Sequence, residues 1–187
     1  MNKTVFYLIL LLSLSYVTSC APPAQPTDLP IQHADPFYNI NDNDYPLLHL
    51  PLIKPIEAIH QDGSSPWDLE LLNILWIKLP KSQEQEVTAY YGYNPVKELE
   101  KFAVKDGVIM AYSAYVDQQA DPYVRNDFYH WFVMVPSKNI TKGFHIEDEF
   151  RQYIQTLGVQ DLDWQTPDEA YKQFSRTGCL KWIPDCK

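Results

Sequence analysis

The sequence predicts an α+β domain in which helices pack on one side of an antiparallel sheet of about three to five strands. Apolar segments of strand length lie in the first half and the centre of the chain, whereas helical patterns are grouped toward its end. A loop connects two consecutive central strands, as is common in an antiparallel pair. No internal repeat is visible, and the length suits a single domain.

The first 20 residues have the pattern of an export signal that ends at a cysteine. Lys3 precedes an apolar run over residues 5–14, and small residues at 17–19 precede Cys20. The run is too short to span a membrane, so residues 1–19 are predicted to be a signal peptide. With Val17 where Leu is usual, this segment resembles the bacterial lipobox, which implies cleavage before Cys20 and a lipid on its thiol. The alternative is an ordinary signal with a cysteine nearby by chance.

The residue after the cysteine bears on the destination. In bacteria that sort lipoproteins by this residue, Ala21 in place of Asp resembles an outer-membrane signal. The resemblance therefore implies a cell-envelope protein whose partner at its N-terminus is the membrane itself.

Composition separates a predicted tether from a predicted folded domain. Residues 21–51 contain seven Pro and four Asp but neither Lys nor Arg. Such composition resists packing, so residues 20–50 are predicted to be a disordered tether and residues 51–187 a single α+β domain. The net charge of −9 disfavours a nucleic-acid partner, which needs a basic surface.

The first half of the domain contains one ambiguous segment and one predicted helix. Residues 69–79 favour a strand that ends before Pro80, although Ser65-Pro66-Trp67-Asp68 also resembles a helix start. Asn94-Pro95 followed by apolar residues at helical spacing predicts a short helix that includes residues 96–103.

The centre of the chain predicts two paired strands. Residues 108–116 follow the turn Asp106-Gly107 and alternate, with Val108 and Met110 on one face. Residues 129–135 are apolar on nearly both faces, which indicates a central strand covered on two sides. The intervening residues 117–128 are predicted to form the connecting loop.

Two helices follow. Ile146, Phe150 and Ile154 belong to an apolar stripe over residues 146–157, and Gly158 supplies the stop. The segment Thr166-Pro167-Asp168-Glu169 is a capping box with proline at the first helical position, and Gly178 ends the second helix.

With Cys20 assigned to lipid, the two remaining cysteines are predicted to form a disulfide. Cys179 and Cys186 form an even pair in a chain predicted to be exported. A metal site would need two more ligands nearby, and no histidine lies within the last forty residues. The sequence therefore predicts a structural disulfide, with no metal and no cofactor.

No catalytic motif stands out, and two pairs of residues remain as candidates. His145 and Glu149 are four residues apart, but acidic residues at a helix start also suit the helix dipole. Asp127 and His130 form the second pair, in which His130 is better explained as a histidine satisfied by a neighbour. The sequence therefore predicts no catalytic residue.

The loop over residues 117–128 is the predicted ligand or partner contact. It joins two apolar strands and must run over the surface, yet it carries the aromatic residues Tyr123 and Phe128 among charged ones. Core packing explains most of the other aromatic residues in this half of the chain. The predicted contacts are Asp121, Tyr123, Arg125 and Asp127.

A weaker resemblance covers roughly residues 100–160. The runs 104–113, 130–135 and 143–150 resemble small uncharacterised bacterial lipoproteins in which a strand, a turn and an acidic-capped helix occur in that order. The sequence thus predicts a lipid-anchored envelope protein with a non-catalytic domain that binds a protein, peptide or glycan. The alternatives are an envelope hydrolase using carboxylates or His130, and an immunity-type inhibitor.

Overall fold

The computed structural model describes residues 29–40, 47–61, 66–72, 96–115 and 129–186. The predicted signal peptide with Cys20, residues 73–79 of the predicted strand and the predicted contact loop all lie outside these residues.

The described chain forms two antiparallel sheets and two α-helices. The first sheet has the order β1-β2-β3, with strands Leu47–Pro51, Glu57–Gln61 and Trp67–Leu69. The second has the order β4-β5-β6-β7, with strands Lys101–Lys105, Val108–Tyr112, Trp131–Val135 and Ile140–Phe144. The helices are α1, Glu147–Thr156, and α2, Pro167–Thr177, and short 3-10 helices span Pro36–Tyr38 and Pro136–Lys138. The predicted α+β class with an antiparallel sheet is confirmed.

The four-stranded sheet is built around β6. All five residues of β6 are buried, and the strand lies between β5 and β7 in antiparallel register. The prediction of a central strand covered on two sides, paired with the strand before it, is confirmed.

A tight turn connects β4 to β5. Its residues Asp106 and Gly107 have φ values of 51° and 79°. A two-residue turn with both φ values positive matches the twist of a hairpin.

Side-chain alternation along β6 divides the core into two clusters. Phe132 and Met134 join a cluster that includes residues of the three-stranded sheet and of α2. Trp131, Val133 and Val135 pack instead with α1. The first cluster contains Leu50, Ala58, Leu69, Ala170 and Phe174, and the second contains Phe150 and Ile154.

Both helices confirm their predicted local signals. Gly158 follows α1 with φ of 81°, while Thr166 and Glu169 form the two hydrogen bonds of a capping box at α2. Ile146 was predicted to belong to the apolar stripe of α1. It lies instead at the N-cap, before the buried residues begin, and is 56% exposed. Among the described residues, no helix is long and apolar enough to cross a membrane.

The predicted helix over residues 96–103 is wrong. Val96 forms an isolated bridge with Leu69, and the chain then enters β4. Pairing of Lys101–Lys105 with β5 through the tight turn instead buries Phe102 and Ala103 in a sheet. Trp67–Leu69 is likewise a strand, so the helix start considered at residues 65–68 does not occur at Trp67.

The folded unit begins before residue 51, where the sequence placed its start. Leu47–Pro51 is a strand, and Tyr38 is only 7% exposed within the first cluster. The Ile31 amide donates to the Thr177 carbonyl at 2.9 Å. The predicted boundary is corrected because contacts with distant parts of the chain order a segment whose own composition resists packing.

Candidate functional site

Two adjoining grooves lie beside Trp182, with volumes of about 310 and 190 Å³. Val104, Lys181 and Trp182 line both grooves. The larger groove is completed by Tyr38, Ile53, Lys105, Asp106, Gly107 and Pro184, and the smaller by Asp163, Gln165, Gln173 and Leu180. The volume of the larger groove is at the lower end of the range for small-molecule binding sites. The two grooves together can accommodate a short segment of a ligand.

The C-terminal disulfide loop holds Trp182 in place. Cys179 and Cys186 are bonded, as predicted, and Leu180 and Ile183 between them are buried. The indole Nε1 of Trp182 donates to the Pro51 carbonyl at 3.0 Å, and its ring meets Phe102 edge to face at 5.5 Å. The loop therefore presents a fixed aromatic ring between the grooves.

The edge of β4 forms another wall. Phe102 and Gln165 exchange two backbone hydrogen bonds of 3.0 Å on the side of β4 away from β5. Backbone groups of residues two apart on a strand point the same way. The N–H and C=O of Val104 are therefore directed away from β5 as well, toward the grooves that Val104 lines.

The polar groups of the grooves include an ion pair that is open to solvent. Lys181 Nζ lies 2.5 Å from Asp163 Oδ2, and both side chains are 82% exposed. The hydrogen bond from Lys181, assisted by its charge, lowers the pKa of Asp163 below 3.8. Asp163 is therefore ionised at neutral pH, which suits hydrogen-bond acceptance better than acid catalysis.

His130 has a structural role at the start of β6. Its Nδ1 donates to the Ser113 carbonyl at 2.9 Å, because a carbonyl oxygen can only accept. The Ser113 amide in turn donates to the His130 carbonyl at 3.0 Å. This reciprocal contact joins β5 to β6 and agrees with the interpretation of His130 as a histidine satisfied by a neighbour.

His145 and Glu149 lie near the same end of the sheet but on exposed positions. The His145 ring is 4.9 Å from the ring of Tyr129, and burial raises the pKa of the Tyr129 hydroxyl. Glu149 is exposed in the first turn of α1, where a negative charge suits the helix dipole. Asp127, like Asp121, Tyr123 and Arg125, lies outside the described residues.

Several aromatic residues in this half of the chain pack in the core, as the sequence predicts. Trp131 and Phe132 are buried on opposite faces of the sheet. Lys101 Nζ lies 5.0 to 5.3 Å from the ring centres of Tyr112, Trp131 and Trp164, a cation-π arrangement filled by the chain's own lysine.

Comparison with protein-family models, curated proteins and solved structures finds no match to this chain.

Sequence reasoning missed the grooves because their walls come from distant segments. The one sequence feature that pointed to the grooves was Trp182, because an aromatic residue in a short loop closed by two cysteines is held in a fixed position. The second missed residue is His33, whose Nε2 lies 2.6 Å from the Gly178 carbonyl.

Proposed function

We propose that the protein is a lipid-anchored component of the bacterial cell envelope whose domain binds a peptide without catalysis. The lipobox-like segment ending at Cys20 supports the anchor. The disulfide between Cys179 and Cys186 suits an oxidising compartment outside the cytoplasm.

The edge of β4 beside Trp182 carries the peptide proposal. The outward N–H and C=O of Val104 can pair with an extended backbone, as Phe102 already pairs with Gln165. Trp182 offers apolar contact to a neighbouring side chain, and the Asp163–Lys181 pair can receive polar groups. Among the protein, peptide and glycan ligands predicted from the sequence, a short extended peptide is the one that can form all of these contacts at once.

A proline substitution in β4 tests the proposal sharply. Val104→Pro removes the outward N–H but none of the hydrogen bonds from β4 to β5, so the sheet is expected to survive. Val104→Ala removes the side chain and keeps the N–H, which makes it the matched control. An array of unmodified hexapeptides, probed with the full chain in detergent, supplies the ligands. We expect Val104→Pro to weaken peptide binding at least tenfold and Val104→Ala to weaken it less than threefold.

Other outcomes of the same screen favour the alternatives. Selective binding to neutral oligosaccharides, unaffected by Val104→Pro, would contradict the peptide proposal. Loss of peptide binding in Tyr123→Ala or Asp121→Ala, with binding by Val104→Pro unchanged, would move the site to the contact loop predicted from the sequence. Cleavage of bound peptides, read by mass, would favour the hydrolase.

A further inference from the structure

Three residues with metal-binding side chains lie together near the disulfide. One ring nitrogen of His33 and the Sγ atoms of Cys179 and Cys186 lie within 4.8 Å of one another. All three residues are partly exposed, so that solvent and small ions reach them. The contact joins the N-terminal segment at residues 29–40 to the C-terminal loop.

Hydrogen bonds hold His33 beside the disulfide loop. Its main-chain amide donates to Asn39 Oδ1 at 2.6 Å, and Asn39 Nδ2 donates to its carbonyl at 3.1 Å. Its Nε2 donates to the Gly178 carbonyl at 2.6 Å. Because the carbonyl only accepts, Nε2 carries a proton in this hydrogen bond.

We propose that reduction of the disulfide converts this cluster into a Zn²⁺ site formed by His33, Cys179 and Cys186. A dithiol reductant supplies two electrons and two protons by thiol–disulfide exchange, so that its own thiols become a disulfide while Cys179 and Cys186 become thiols. Zinc then binds both sulfurs as thiolates, and the two thiol protons are released to solvent. The reductant is a protein or small molecule with paired thiols.

The ligand set matches zinc chemistry. Zinc favours thiolate and neutral imidazole ligands in tetrahedral geometry, with bond lengths of about 2.3 Å to sulfur and about 2.0 Å to nitrogen. Two thiolates balance the charge of the ion, and water takes the fourth position. The three ligand atoms need only small movements from their present separations of at most 4.8 Å. This inference is independent of the peptide proposal.

Zinc titration of the full chain in detergent tests the proposal. The protein is reduced with a phosphine under anaerobic conditions and titrated with Zn²⁺ against a chromophoric chelator. We expect one tightly bound zinc per reduced chain, with proton release, and at least tenfold weaker binding by the oxidised chain. Equal zinc affinity in the two redox states would overturn the proposal.

Histidine variants distinguish a built site from binding by cysteines alone. We expect His33→Ala to lower the zinc affinity of the reduced chain at least tenfold, whereas the exposed control His145→Ala leaves it unchanged. Co²⁺ in place of zinc should give a thiolate charge-transfer band that shifts in His33→Ala. A reduced chain that unfolds would bind through its cysteines only, so an unchanged affinity in His33→Ala would also overturn the proposal.

Discussion

Removal of the Cys179–Cys186 bond is expected to weaken the domain by an amount set by its short loop. Cys186 follows Cys179 at a sequence separation of 7. By the chain-entropy relation, the unfolded chain without this bond gains about 8 cal/mol/K of conformational entropy, which corresponds to about 2.4 kcal/mol near room temperature. The double variant Cys179→Ala/Cys186→Ala should therefore lower the free energy of unfolding by about that amount, which corresponds to a melting temperature lower by roughly 5–10 °C.

Urea unfolding followed by far-ultraviolet circular dichroism measures this loss. The slope of the free energy against urea concentration should stay close to that of the parent, because the same surface is exposed on unfolding. The oxidised parent and the parent reduced without substitution provide the comparison. A loss below about 0.5 kcal/mol would contradict this prediction, since the bond would then restrict the unfolded chain very little.

Two further predictions concern the N-terminal segment at residues 29–40. Gly178→Ala should destabilise the domain more than the control Gly158→Ala in thermal unfolding. Both glycines have positive φ, but an added Cβ at Gly178 would lie 2.5 Å from the Ile31 carbonyl oxygen, whereas at Gly158 it meets nothing within 4 Å. The hydrogen bond from Lys54, followed by the Phe37 amide, lowers the pKa of Asp35 below 3.8. The stability that ionised Asp35 adds is therefore present above its unfolded-state pKa and is lost as the pH falls through its folded-state pKa. Because Lys54→Ala removes the main hydrogen bond to this carboxylate, it should raise the Asp35 pKa in a carboxyl NMR titration.

Elements with local signals were predictable from the sequence. The capping box of Thr166 and Glu169 and the stop at Gly158 act within a few residues, so their patterns are legible without the fold. The burial of β6 was equally legible, because every residue of Trp131–Val135 is apolar. These features set the class of the domain and its central sheet.

Elements that depend on distant contacts were not predictable. Phe102 and Ala103 have helical spacing from Leu99, yet pairing with β5 places them in a strand. His33 lies 145 residues from Gly178, its hydrogen-bond partner, so sequence spacing gave no reason to consider it with the cysteines. The grooves have the same origin, because Tyr38, Val104 and Trp182 meet only in the folded chain.

The mass of the N-terminal peptide shows whether the protein is anchored in the envelope by lipid. The chain is isolated from the membrane fraction, digested, and its first peptide is identified by mass spectrometry. We expect a mature chain that begins at Cys20 and carries diacylglycerol on its thiol. A mature chain with an unmodified Cys20, or one cleaved at another position and found in the soluble fraction, would contradict it.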